Sequence, residues 1–175
     1  MLGMNIGDGS RGRMESTYLD IIALVERRHR QFLEAVALEL EAAGVRDINN
    51  VQAMILYNVG KMDIEMSVGE LTLRGCYLGS NVSYNLKKLV THGYVVQERS
   101  PHDRRSVRIR LSEKGFELRD KLDAMCQRHI SEPSRHGSPS DDELLQARDI
   151  LRRLERFWSQ SVELGSRKMA MAAGD

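Results

Sequence analysis

From Ser80 to Thr91 the chain reads Ser-Asn-Val-Ser-Tyr-Asn-Leu-Lys-Lys-Leu-Val-Thr, and it sorts by chemistry when wound as a helix. At about 100° per residue, Val82, Leu86, Leu89 and Val90 gather on one side. Ser80, Tyr84, Lys87, Lys88 and Thr91 lie opposite, with Asn81 and Ser83 at the margins. Hydroxyl and carboxamide groups at the start of such a face can hydrogen-bond base edges or phosphate oxygens. Lysines toward its end can hold a phosphate backbone or read guanine. The plain alternative is the solvated face of any surface helix, and the neighbouring segments decide between the two.

Upstream, Ser67-Val-Gly-Glu70 has the form of a capping box, in which the serine oxygen serves the N3 amide and the glutamate reaches back. It opens a short helix through Leu71 and Leu73 that ends near Gly75, and Gly79-Ser80 starts the next, closed by Gly93. Two short helices joined by a tight, glycine-bearing turn form a helix-turn-helix pattern, which makes Ser80–His92 the recognition helix. Its first residues, Ser80, Asn81, Ser83 and Tyr84, are the ones placed to meet base edges.

Downstream, Val95–Arg99 and Val107–Leu111 read as two strands. The second alternates, with Val107, Ile109 and Leu111 expected inward and Arg108 and Arg110 outward. Between them lies a tip holding Pro101, Asp103, Arg104 and Arg105: a basic hairpin beside a helix-turn-helix, which is a wing. Arg104 or Arg105 can enter a narrow minor groove, where A·T-rich segments deepen the negative potential. An unpaired Asp103 would repel DNA, so it is expected to pair with Arg105 or a neighbour and brace the tip.

The flanking segments are helical. Tyr18, Ile22, Val25, Phe32, Val36 and Leu40 form an apolar stripe on a long helix from Met14 to about Ala43, stopped by Gly44. Asp47 is expected to cap a second helix, Ile48 to about Val59, with Gly60 breaking it. Ser112 caps a helix running to about Ile130, and Glu132–Pro139 reads as a linker. Ser140-Asp-Asp-Glu143 is a second capping box, opening a helix to about Leu164. There Leu144, Leu151 and Trp158, and also Ala147 and Leu154, repeat every seven residues as a coiled-coil-like seam. The expected organisation is a mobile arm (1–13), a winged helix-turn-helix (47–111), helical dimerisation segments (14–46 and 112–164) and a fraying tail (165–175). The fold class is mainly α with a small β-hairpin wing.

Composition narrows the function classes. The 175 residues are 41% hydrophobic, 29% charged and 5% aromatic, with a net charge of only +1. That average hides an asymmetry. Met66–Lys114 holds nine basic residues (Arg74, Lys87, Lys88, Arg99, Arg104, Arg105, Arg108, Arg110, Lys114) against four acidic (Glu70, Glu98, Asp103, Glu113). The segment is therefore +5 and the remainder −4. A basic module in an otherwise acidic chain implies a polyanion-binding surface and argues against a purely protein-binding winged helix, the competing reading. No apolar run approaches the ~20 residues that span a bilayer, and the first residues lack the apolar core of a signal peptide, so a cytoplasmic protein without a membrane partner is expected. No phosphate loop, metal-ligand spacing or nucleophile with an oriented base is present, so the reading is of no enzyme, no metal and no cofactor. His29 falls on the first helix's apolar stripe as a core or interface residue, and His92 suits a helix C-terminus. Cys76, just before the recognition helix, could sense oxidants if its thiolate were stabilised; the alternative is an inert small hydrophobe.

Leu86-Lys-Lys-Leu89 leading to His92-Gly-Tyr-Val95, then Asp103-Arg-Arg-Ser-Val107 and Leu111-Ser-Glu-Lys-Gly115, resemble motifs of the MarR family of bacterial winged-helix regulators. Asp-x-Arg is the heart of that family's wing, and the likeness covers roughly 51–122, with matching architecture from 19 to 164. The string Ser80–Leu89 looks like that of an LdtR-type subgroup. The resemblance implies a homodimer held by the first, fifth and sixth helices, reading double-stranded DNA. It also implies a small-molecule effector in the crevice between dimerisation helices and winged lobe, where His29, Met54, Tyr57, Arg74 and Tyr77 are the expected lining.

Overall fold

The computed structural model describes residues 7–61, 66–75, 79–99, 107–131 and 137–172, in two units that divide between His129 and Ile130. In the first unit, α1 (Gly7–Ala42) is followed by α2 (Asn50–Gly60), β1 (Met66–Ser67), α3 (Val68–Gly75), α4 (Gly79–Thr91), β2 (Val95–Arg99), β3 (Val107–Leu111) and α5 (Glu113–Ser131). The second unit is dominated by α6 (Asp141–Ala172).

Glycine ends two of these helices for a backbone reason. Gly44 has φ of 72°, and Val45 N–H reaches Leu40 O at 2.9 Å while Gly44 N–H reaches Glu41 O at 3.0 Å. Gly93, at φ 75°, repeats the arrangement at the end of α4: Tyr94 N–H donates to Leu89 O (2.9 Å) and Gly93 N–H to Val90 O (3.0 Å). This left-handed C-cap satisfies carbonyls that the helix leaves open, and a side chain there would be strained. The second cap turns the chain straight into β2.

Both capping boxes form. Glu70 Oε2 accepts from Ser67 N (2.7 Å) and Ser67 Oγ accepts from Glu70 N (3.2 Å). Glu143 Oε2 accepts from Ser140 N at 2.8 Å, a bond that holds its carboxyl below the usual range. Ser112 Oγ likewise accepts from Gly115 N (3.1 Å) at the start of α5.

Five elements differ from expectation. The cap of α2 is Asn49, not Asp47: Asn49 Oδ1 accepts from Gln52 N (2.9 Å), and Gln52 Oε1 accepts from Asn49 N (3.0 Å). A third strand, β1, joins the hairpin in the order β1-β3-β2, pairing Met66 with Ile109 and Ser67 with Arg108. Helix α1 begins at Gly7, seven residues before the expected Met14, and α6 runs to Ala172, beyond the expected Leu164. In β3, Ile109 and Leu111 are buried as the alternation requires, but Val107 is 37% exposed at the outer end of the ribbon.

The core of the first unit is assembled mainly from helices α1 to α5 and the hairpin strands. Val36 and Leu40 come from α1, Ile55, Leu56 and Val59 from α2, and Leu71 from α3. Val82, Leu86 and Leu89 come from α4, Ile109 and Leu111 from β3, and Leu118, Leu122 and Met125 from α5. Burial of this aliphatic set, not aromatic packing, seats α4 with its other face outward.

Candidate nucleic-acid interface

The face of α4 opposite the core is open. Asn81, Ser83, Tyr84, Lys87, Lys88 and Thr91 are all exposed, Tyr84 at 62%, while Val82, Leu86 and Leu89 are fully buried and Val90 is half-buried. Lys88 Nζ lies 5.9 Å from the Tyr84 ring centroid, one turn along the same face. The Thr91 hydroxyl donates to Lys87 O (2.8 Å), which leaves its oxygen able only to accept from a ligand. Ser80 belongs to α4 by its backbone, but its side chain lies outside the described residues.

The hairpin stands beside this helix in the expected register, Val95 opposite Leu111 and Arg99 opposite Val107. Arg110 projects outward and pairs with Glu98 at 2.6 Å, so part of the ribbon's positive charge is neutralised within it. Arg108, on the same face of the strand, is half-buried. The tip carrying Asp103, Arg104 and Arg105 lies outside the described residues.

A polar cluster that sequence reasoning missed fixes the junction of α4, hairpin and α5. Tyr94 Oη donates to Asp47 Oδ1 (2.8 Å), and Lys114 Nζ donates to Asp47 Oδ2 (2.8 Å) and to His92 O (3.0 Å). The same ammonium sits 3.9 Å from the Tyr94 ring centroid, and His92 Nδ1 is 4.0 Å from Asp47 Oδ2. Partial burial works to raise the Asp47 carboxyl, but the bonds from Lys114 and Tyr94 outweigh it and hold the group below its ordinary value. Burial and the bond to Asp47 push the Tyr94 phenol up. Asp47 therefore serves the hairpin root rather than a helix start.

The residues expected to line an effector crevice are partly placed. Met54 and Tyr57 are half-buried on α2, one turn apart, and His29 is exposed on α1. Tyr57 Oη donates to Asp123 Oδ1 of α5 at 2.7 Å, a bond that with burial raises the phenol to about 12. Arg74 lies on α3 with its side chain outside the described residues, as do Tyr77 and Cys76 entirely. A concavity of about 430 Å³ lies elsewhere, between the end of α1 and the start of α2, lined by Leu40, Val45, Arg46, Ile48 and Asn50 among others. Cys126 on α5 is half-buried, and burial pushes its thiol up, away from the reactive thiolate. Among the described residues no group of His, Cys, Asp or Glu could hold a metal ion, and no described helix is long and apolar enough to cross a membrane.

Comparison with known proteins accords with this geometry. Residues 48–115 match the model of a winged helix DNA-binding domain, a span that runs from α2 through the sheet to the start of α5. The chain is 40% identical over 149 residues to the exopolysaccharide II synthesis transcriptional activator ExpG of Rhizobium meliloti, covering 85% of this chain and 75% of that one. Among solved structures, Staphylococcus aureus MarR in complex with salicylate and kanamycin superposes with a TM-score of 0.66 at 18% identity, over 85% of this chain and 96% of that one. Streptococcus pneumoniae FabT in complex with DNA gives 0.60 at 20% identity, over 82% and 98%. The agreement is at the level of the family, not of the LdtR-type subgroup. An exposed polar face on α4, a three-stranded sheet and a 40%-identical regulator lead to one assignment: the chain belongs to the winged-helix transcriptional regulators, with the fold that MarR shows.

Proposed function

We propose that this regulator acts as a homodimer on pseudo-palindromic double-stranded DNA, each protomer reading one half-site with the outer face of α4. The observation that carries the reading is that face itself: Asn81, Ser83 and Tyr84 exposed over its first turns, Lys87, Lys88 and Thr91 over its last. In this reading Ser80, Asn81, Ser83 and Tyr84 meet base edges in the major groove, and the lysines and Thr91 hold phosphates. Arg104 and Arg105, with Asp103 bracing them, contact the backbone or minor groove. Residues 47–111 thus form the DNA-binding domain.

Dimerisation falls to 14–46 and 112–164. Support comes from apolar side chains that a lone chain leaves to water: Leu19 (57%) and Leu24 (43%) on α1, Leu151 (46%) and Phe157 (56%) on α6. FabT was solved with DNA and Staphylococcus aureus MarR with small molecules, which favours DNA as partner and a small-molecule effector as modulator here. The place of work is the cytoplasm, where a bacterial chromosome lies.

Selection of bound sequences from a random DNA pool tests the reading. An inverted repeat with half-sites about one helical turn apart is expected. Enrichment of a single, unrepeated half-site, or of no sequence at all, would overturn it.

A further inference from the structure

Gln52 is, among the described residues, the buried polar one, 7% exposed, and both ends of its amide are used. Its Oε1 closes the capping box on Asn49 N at 3.0 Å. Its Nε2 crosses to the recognition helix and donates to Asn85 Oδ1 at 3.2 Å. Asn85 in turn donates from Nδ2 to Asn81 O, one turn back, at 2.8 Å. On the other side of α2, Asn50 Nδ2 donates to Leu33 O of α1 at 3.0 Å. Side-chain amides at the start of α2 therefore reach both α1, through Asn50, and the first turns of α4, through Gln52.

We propose that Gln52 and Asn85 are positioning residues for DNA reading, a strut that sets the rotation and axial height of α4 so that Asn81, Ser83 and Tyr84 meet base edges in register. This rests on the reading of α4 as the recognition helix. The contacts of Val82, Leu86 and Leu89 are aliphatic and non-directional, so a small roll or slide of α4 changes them little. A hydrogen bond weakens steeply with angle and length, so the Gln52–Asn85 bond resists that motion. Base-edge contacts require placement within about 0.5 Å, which only a supported side chain or helix provides. Asn85 is half-buried and turned to Gln52, so it acts through the helix rather than on DNA.

The test compares wild type, Asn85→Ala, Gln52→Met and the double variant. Each is assayed on the sequence selected by the wild type and on unrelated duplex, with a thermal melt alongside. Asn85→Ala leaves the capping box intact, so its melt is expected to hold. Its affinity for unrelated duplex should stay within about twofold, while the ratio of specific to unrelated affinity falls about tenfold, the scale of one misplaced base contact. Gln52→Met should lose the same ratio, with a lower melt because the returning half of the capping box, Gln52 Oε1 on Asn49 N, is gone. The double variant should lose no more ratio than either single one, because one strut is broken either way. Full discrimination by Asn85→Ala overturns the proposal, and so do losses that add in the double variant, which would make Asn85 a direct DNA ligand. Either result leaves DNA reading by α4 standing. A wild type without sequence preference sinks both.

Discussion

Lys114 Nζ and Asp47 Oδ2 meet at 2.8 Å across 67 residues of sequence, and the same ammonium covers the Tyr94 ring and the His92 carbonyl. The pair ties the α1–α2 loop to the point where α4 ends and the hairpin begins. Asp47 is about a third exposed, so solvent screening reduces what the charge adds. Asp47→Ala should cost roughly 1 kcal/mol at pH 7, from the bonds of Tyr94 and Lys114 together. The folded-state carboxyl is held below its ordinary 3.8, so this stabilisation is present above that pH and is lost as pH falls through the lower folded value. Urea unfolding of wild type and variant across pH 2–7 should show the gap closing at the acid end. A gap that persists unchanged into acid would assign it to packing instead.

Gly115 lies in the first turn of α5, where a Cβ would collide with the Tyr94 carbonyl oxygen and come within 3.3 Å of Leu111 Cβ. Backbone cannot swing aside as a side-chain tip can. Gly115→Ala should therefore destabilise by about 2 kcal/mol despite alanine's better helix propensity, lowering the melting temperature by roughly 4–8 °C. An unchanged melt would show that α5 shifts at no cost.

How legible these features are depends on their range in sequence. The two faces of α4 and the inward set Ile109 and Leu111 follow from short periodicities that burial satisfies. The capping boxes at Ser67 and Ser140 follow from residue type at fixed spacing. Asp47 reads as a cap because Asp and Asn are both good ones; Gln52 three residues after Asn49 is the local signal that picks the right one. Strand β1, at two residues, is too short to show alternation, and only its pairing with Ile109 and Arg108 reveals it. Asp47–Lys114 and Gln52–Asn85 join residues 67 and 33 positions apart, and no local pattern announces such pairs.

The proposed dimer can be probed on α6 without threatening the fold. Leu151 is 46% exposed, so a charge there disturbs little in a single chain. In the middle of a helix–helix seam the same charge would be buried without a partner, at a cost of several kcal/mol. Wild type is expected to scatter as a dimer at micromolar concentration and Leu151→Glu to shift toward monomer with its circular dichroism intact. A wild-type monomer, or a variant dimer as tight as wild type, would rule out this seam.

Recognition helix and wing should fail in different ways when altered. Lys88 and Arg105 are read as phosphate or minor-groove cations. Lys88→Ala or Arg105→Ala should weaken binding to all sequences and reduce the slope of log K against log salt by roughly 0.9 for each phosphate no longer neutralised. Asn81→Ala or Tyr84→Ala should instead cost about 1–3 kcal/mol on the selected sequence and leave unrelated duplex nearly unaffected. Asp103→Ala separates charge from architecture, because it makes the wing more basic. If Asp103 braces the tip, binding weakens although the net charge has moved in DNA's favour, since the arginines lose their fixed geometry. If Asp103 is a bystander, binding tightens and the salt slope steepens. Titrations at several salt concentrations read both quantities at once, and tighter binding by Asp103→Ala ends the bracing role.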